Sequence, residues 1–338
     1  MKSPYTSRVI PSFLSVLVAS AVLTACGGSS NGTVEDAGIT IDERMLATTD
    51  NYIVEYIPEA SGEGEGHNTF ILEIRDLDGN LASGKQVSLK PLMTMVGGHV
   101  HGTPVGHIEE RDDYYYQGDI YYLMPGGPTM GEWKLSFCIG NGMAAMDDGD
   151  MNHGDMDMSS ACADGEDEAV FYPLVAGRPH VKGTLKGGDN DQIPGMSEGT
   201  QARTYHFFKH STQQHDGSYH AHVYIAATES MMSFPGLSTE IVLNAGTETQ
   251  LEINEGGLQV EFSGDDGQTW VDATNAHGGG LWAANMNGMA SSLRVKLSVN
   301  GEVKTETGAS DDEFNYVTLA MDDGMDGGMG GEHDMHDM

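Results

Sequence analysis

The chain has 338 residues, with 16 Lys and Arg against 51 Asp and Glu, a formal net charge of −35. So acidic a surface repels phosphate and excludes nucleic acid as a partner, while it concentrates cations and keeps the chain in solution. Generic acidity, as in proteins from salty habitats, explains most of this charge but not the 21 Met and 14 His that accompany it.

At the start of the chain, Lys2 and Arg8 flank a positive segment, and Phe13–Leu23 is an apolar run. That run is too short for a membrane span of ~20 residues and suits the h-region of an export signal. It ends in Leu23-Thr24-Ala25-Cys26, which resembles the lipobox of bacterial lipoproteins. The resemblance implies cleavage before Cys26, lipid on its sulfur, and attachment to a membrane. Gly27 after the cysteine implies the outer membrane, so the chain is expected to be lipid-anchored at its periplasmic face or its surface. An ordinary signal peptide with a chance cysteine is the alternative. Residues 1–25 are then the signal and 26–50 a tether.

Beyond the tether the signals are β. "NTFILEIRD", "KQVSLKPL", "GDIYYLM" and "EWKLSFCI" are short β-branched or aromatic runs bounded by "LDGN", "GG" and "PGGP" turns, and "GLQVEFSG" alternates as a strand does. Strands at this spacing without helical periodicity predict an all-β protein of two immunoglobulin-like β-sandwich domains, 51–176 and 180–320, divided near "AGRPHVKG". The tail 321–338 is too polar and Gly-rich to fold alone and is expected to be disordered. "MPGGPTMGEWKLSF" (124–137) aligns with "MNGMASSLRVKLSV" (286–299), and "VSLKPLMTMVGG" resembles "VYIAATESMMSFPG". Divergent duplication explains both matches; chance similarity between strands is the alternative.

The sharpest cluster for chemistry is "LMTMVGGHVHGTPVGH". Met93 and Met95 are two apart and share a strand face, and His99 and His101 repeat that spacing after a Gly-Gly turn. His107 follows, and Met124 and Met130 flank a later turn. Thioether favours Cu(I) and imidazole takes either oxidation state, so copper is the expected ion, as Cu(I), Cu(II) or both. Core packing is the competing reading of Met93 and Met95. His67 reads as a loop residue.

The order "DLDGNLASGKQVSLKPLMTMVGGHVHGTP … YYYQGDIYYLMPGGPTMGEWKLSFCI" resembles the YtkA-like/FixH-like extracytoplasmic β-sandwich domain over roughly 68–140. The resemblance implies a small immunoglobulin-like sandwich associated with copper handling or cytochrome-oxidase assembly. Its members are short and often span the membrane, whereas this chain carries an acidic loop and a second half.

In that second half, "TYHFFKHSTQQHDGSYHAHVYIAATESMMSFP" holds His206, His210, His215, His220 and His222, with Met231 and Met232. His220 and His222 alternate on one face of a predicted strand, a spacing that suits Cu(II) or Zn(II). Surface histidines on a cation-poor protein explain the run equally well. Met286 and Met289 are expected to complete this site from a facing hairpin. "SGDDGQTW" (263–270) matches the Asp-box pattern, read as a structural hairpin in which Asp265 and Asp266 are weak calcium candidates.

With Cys26 used for the anchor, Cys138 and Cys162 remain and are expected to pair in an oxidising compartment. They enclose an acidic loop with Met151, His153, Met156 and Met158, and the tail repeats its vocabulary with His333, Met335 and His336. A solvated acidic loop is the usual meaning of such a run. Exposed methionine is prone to oxidation and gains no packing, however, so a metal-gathering arm is expected.

No Ser/His/Asp order, phosphate loop or coherent acid/base pair marks a catalytic site, and no enzyme activity is expected. The leading reading is an extracytoplasmic copper-binding lipoprotein that captures, buffers or delivers copper, in exchange with a donor or acceptor protein. The alternative is a cell-surface interaction protein in which metal is structural or incidental. Zinc and calcium are secondary ions.

Overall fold

The computed structural model describes residues 45–59, 62–111, 115–140, 162–195, 199–215, 218–239, 241–275, 278–288, 291–310 and 312–320. These residues are strands and turns throughout, and they fall into two β-sandwiches.

In the first sandwich one sheet runs β1 (Leu46–Thr48), β2 (Tyr52–Pro58), β3 (Gly66–Asp76), β7 (Tyr115–Tyr122) and β6 (Val105–Glu110). The facing sheet runs β5 (Val100–His101), β4 (Gln86–Met95), β8 (Gly131–Gly140) and β9 (Asp167–Phe171). The alternation legible in the sequence is the alternation of burial. Phe70, Leu72 and Ile74 of β3 point inward to Val87, Leu89, Leu135 and Phe137 of the facing sheet, while His67 and Thr69 point away. Strand β1 lies inside the stretch expected as tether; it pairs with β2, Leu46 opposite Glu55, and so extends the sheet.

In the second sandwich one sheet runs β10 (Lys182–Lys186), β13 (Thr204–His215), β14 (Ser218–Ala227) and β19 (Leu281–Met286). The other runs β18 (Val271–Asp272), β17 (Leu258–Ser263), β20 (Ser292–Val299) and β21 (Glu302–Val303), with β22 (Val317–Ala320) also paired to β20. Two small ribbons pair separately, β11 (Gln192–Pro194) with β12 (Thr200–Ala202) and β15 (Val242–Leu243) with β16 (Leu251–Glu252). A separate core of Phe207, Val223, Ile225, Phe262, Trp282 and Leu297 fills this sandwich.

The halves share a strand plan. Sheet order β2-β3-β7 in the first corresponds to β13-β14-β19 in the second, and β4-β8-β9 corresponds to β17-β20-β22. The aligned segments 124–137 and 286–299 therefore fall on equivalent crossings, from β7 to β8 and from β19 to β20. The other match does not: "VSLKPLMTMVGG" is β4, whose counterpart is β17, whereas "VYIAATESMMSFPG" begins in β14.

Cys138 and Cys162 form a disulfide with Cα atoms 5.3 Å apart, tying β8 to the approach of β9. The expected arm between them, with Met151, His153, Met156 and Met158, lies outside the described residues. So do Cys26, Met289 and the tail residues His333, Met335 and His336.

The sandwiches meet through outward faces of one sheet from each. Tyr121 of β7 stacks on Tyr224 of β14, with ring centres 3.9 Å apart and planes within 9°. Phe208 and Ala226 complete this third, smaller apolar cluster, flanked by Leu123, Phe234 and Leu281.

Candidate metal centre

Three strands carry one row of side chains across the second sheet of the first sandwich. Met93 of β4 lies opposite His101 of β5 on one side and Trp133 of β8 on the other. Directly paired residues project to the same face, and all three are buried, His101 at 5% exposure. Met124, in the turn after β7, closes over the row, its carbonyl accepting from Trp133 Nε1 at 3.1 Å. The Trp133 and His101 rings meet in a T-shaped contact, with centres 5.5 Å apart and planes at 88°.

The hydrogen bonds fix how His101 presents itself. Its Nδ1 lies 2.9 Å from the Gly102 carbonyl oxygen, which can only accept, so Nδ1 carries the proton. In the neutral ring Nε2 then holds a lone pair, and it faces Met124 Sδ at 3.1 Å. Two electron-pair donors thus confront each other in a partly buried corner. A second ring proton or a soft cation beside the pair reconciles them.

The second sandwich reaches this corner by its backbone. Gly102 N donates to the Met231 carbonyl at 2.9 Å, and a Cβ added at Gly102 would lie 2.8 Å from the Met232 carbonyl oxygen. The Met231–Met232 turn, which the sequence grouped with the later histidines, therefore packs beside His101. The other early residues are less enclosed. Met95 is half-buried opposite Gly131, His99 and His107 are exposed, and Met130 is 37% exposed.

The later histidines divide. His220 and His222 of β14 are neighbours as their spacing predicts, with ring centres 4.4 Å apart. Each has Nδ1 engaged, His220 with Asn285 Oδ1 at 2.7 Å and His222 with Ser211 Oγ at 2.8 Å. Met286 does not join them. It lies opposite Tyr219, is 3% exposed and packs into the second core, because strand alternation turns it to the inner face. His206 sits between Thr228 Oγ1, 2.9 Å from its Nε2, and the Phe234 ring. Burial first, and the Lys182 charge second, lower its pKa to about 4.

The Asp-box hairpin consumes its own polar atoms. Asp265 Oδ1 accepts from Thr269 N and Ser263 Oγ, both at 2.8 Å, and these bonds hold its carboxyl at about 2. Trp270 Nε1 donates to the Gly267 carbonyl at 3.1 Å, and Lys296 Nζ lies 3.8 Å from the Trp270 ring centre.

One grouping was not anticipated. His67, read from sequence as a loop residue, lies in β3, and its Nε2 donates to Asp119 Oδ1 at 2.7 Å. His210 of β13 approaches from the other sandwich, its ring centre 4.1 Å from that of His67. Burial acts to raise the Asp119 pKa, but the His67 bond, the two imidazoles and Thr69 Oγ1 outweigh it and hold the carboxyl below its usual range. The sequence offered one signal, the alternation that points His67 and Thr69 to the same face. Nothing in it links residue 67 to residue 210.

Two open hollows, of about 260 and 300 Å³, are lined by residues such as Leu258 and Asp272 in one and Thr48 and Glu166 in the other. Neither touches an imidazole or a thioether. No protein-family model and no curated protein matches the chain. Among solved structures, the chain is similar to FdeC, an Escherichia coli adhesin, at 14% identity and a TM-score of 0.20, covering 79% of this chain and 63% of that one. It is also similar to the Yersinia pseudotuberculosis adhesin InvE at 12% identity and a TM-score of 0.23, covering 80% of this chain and 60% of that one. The chain thus spans about three fifths of the length of these structures, and at such TM-scores function has to be argued from the side chains.

Proposed function

We propose that this chain is an extracytoplasmic copper-binding protein, attached to a membrane through Cys26, that captures, buffers or delivers copper. The observation that carries the reading is the confrontation of His101 Nε2 and Met124 Sδ at 3.1 Å, with Met93 beside them on the neighbouring strand. Imidazole and thioether together suit Cu(I), and thioethers need no deprotonation and form no disulfides outside the cytoplasm. The Cys138–Cys162 bond fits an oxidising compartment. Partial exposure of Met124 leaves the corner a route for exchange with a donor or acceptor protein.

A second reading is favoured by the burial of Met93, which has no exposed surface and belongs to the first core. Methionine fills irregular core gaps, and the row then serves packing alone. The chain would in that case be a surface-displayed interaction protein with incidental metal.

An anaerobic Cu(I) competition titration of the full chain against a chromogenic chelator separates the two. Met/His segments elsewhere in the chain give a background common to all variants. Under the copper reading, His101→Gln and Met124→Leu each remove one tightly held equivalent. Equal stoichiometry and affinity in both variants and the parent would leave the interaction reading.

A further inference from the structure

A second cluster of ligands lies where the two sandwiches touch, apart from the Met93–His101–Met124 corner. His67 and Asp119 come from β3 and β7 of the first sandwich, and His210 from β13 of the second. One donor atom from each lies within 4.8 Å of the other two, and all three residues are half-buried. We propose that His67, Asp119 and His210 form a site for a divalent transition cation of the Zn(II) class, which clamps one sandwich to the other.

The donor set argues for this class of ion. Two imidazoles and a carboxylate are borderline-to-hard ligands, suited to Zn(II) or Cu(II) rather than to Cu(I). Three protein ligands leave a fourth position for water, which the half-exposed setting can supply. The carboxylate offsets part of the charge of a dication, and the strongly acidic chain raises the cation concentration around it.

The supporting residues are oriented as ligand supports are. Tyr121 Oη lies 3.0 Å from His210 Nδ1; when Nδ1 donates to it, Nε2 presents its lone pair. Thr69 Oγ1 donates to Asp119 Oδ1 at 3.0 Å and fixes the carboxylate on the side of His67. Tyr121 also stacks on Tyr224, so the residue that orients His210 is the centre of the interface itself. The ion needs only a small opening. It would replace the His67–Asp119 hydrogen bond of 2.7 Å with two metal bonds at ligand separations of about 3.3 Å, given Zn–N and Zn–O lengths of about 2.0–2.1 Å.

The clamp has a consequence that a hydrogen-bonded cluster would lack. A cation that binds only the docked arrangement stabilises it by RT ln(1 + c/Kd) at free concentration c, so the effect grows with the logarithm of its concentration. Without metal, the sandwiches are held by the tyrosine stack, its apolar border and polar contacts such as Gly102–Met231 and Lys182–Glu65; with metal, a coordinate link crosses between them.

The test uses the full chain, stripped with a chelator and titrated with Zn(II). Thermal unfolding is followed together with imidazole ¹⁵N spectra assigned to His67 and His210. The expected result is a rise of several degrees in Tm, with both imidazole signals shifting on the same isotherm. In His67→Gln and His210→Gln the rise should largely vanish, and in Asp119→Asn the apparent affinity should fall at least tenfold. Cu(I) binding at His101 should be unaffected by these variants, so failure here and failure of the copper reading are distinguishable. If the two imidazole signals of the parent stay unmoved at saturating Zn(II), the cluster is a hydrogen-bonded contact and the proposal is wrong. The parent spectrum decides this even where a variant fails to fold. An equal Tm rise in the parent and in a folded His67→Gln variant would also overturn it.

Discussion

At the scale of single residues, the most consequential group outside the metal-ligand clusters is Asp191. It is 1% exposed and lies between Arg203 Nε, at 2.8 Å, and Lys304 Nζ, at 2.7 Å, while Tyr205 Oη donates to it at 2.6 Å. Both cations are themselves buried, Arg203 at 0% and Lys304 at 1%. Removing the carboxylate takes the acidic partner from buried Arg203 and leaves Lys304 only Glu302, at 3.5 Å, and breaking such an arrangement costs about 3–5 kcal/mol. Asp191→Ala should therefore lower stability by that amount in equilibrium denaturation. Asp191→Asn, which keeps the shape but not the charge, should also be strongly destabilised.

His206 gives a pH dependence of opposite chemical character. Its pKa of about 4 lies below the usual histidine value of 6.5, because burial penalises the charged ring. Above pH 6.5 the ring is neutral in both folded and unfolded states. As pH falls from 6.5 towards 4, the unfolded chain takes up a proton that the folded chain refuses, so stability is lost across that window. The loss attributable to this residue is on the order of 3 kcal/mol. His206→Gln should flatten the stability profile between pH 6.5 and 4 by that amount, read from urea melts at a series of pH values.

Among elements, the β4–β8 pair decides most of the site. Its register sets Met93 opposite Trp133 and Met95 opposite Gly131. Gly131 holds φ at 145°, and a Cβ there would lie 2.3 Å from the Thr94 carbonyl oxygen. Gly131→Ala should displace the β4–β8 pairing, destabilise the first sandwich by more than about 1 kcal/mol and weaken Cu(I) binding at His101. A denaturation midpoint and a chelator titration on the same sample check both effects. At the other end of β8, the Cys138–Cys162 bond closes a loop of sequence separation 24. Such a closure is worth roughly 3 kcal/mol in the chain-entropy model, so reduction, or the Cys138→Ala/Cys162→Ala pair, should cost about that much. The Zn(II)-dependent shift should survive, because the bond ties β8 to the approach of β9, whereas the ligands lie on β3, β7 and β13.

Over the whole molecule, the controlling feature is the contact between the sandwiches. Tyr121 reaches Tyr224 and His210, Lys182 Nζ contacts Glu65 at 3.2 Å, and Gly102 meets Met231. Each core is complete without the other, so the interface can be weakened without unfolding either half. Tyr224→Ala removes the stacked ring and should leave two separable unfolding transitions in place of a merged one. It should also lower the affinity for Zn(II), since His67 and His210 then need to be brought together by the ion alone. Differential scanning calorimetry with and without Zn(II) reads both outcomes.

Local information was enough for a large part of this. The β-branched and aromatic runs named the strands, and parity within them gives the faces, since side-chain direction in a strand depends only on parity; His67, read as a loop residue, lies just outside the run recognised as a strand. The two cysteines and their separation named the disulfide, and the Met/His vocabulary named copper as the ion to test. Met286, expected beside His220 and His222, shares the parity of the core residues Trp282 and Ala284 and takes the inner face instead. Tertiary structure alone decided the rest. Whether Met93 meets His101 and Trp133 depends on register across three strands, and whether His101 meets Met124 depends on how a turn folds back. The His67–Asp119–His210 cluster depends on the docking of two separately cored sandwiches. Donors 143 residues apart are joined there by packing between sheets, a relation that no local pattern of residues encodes.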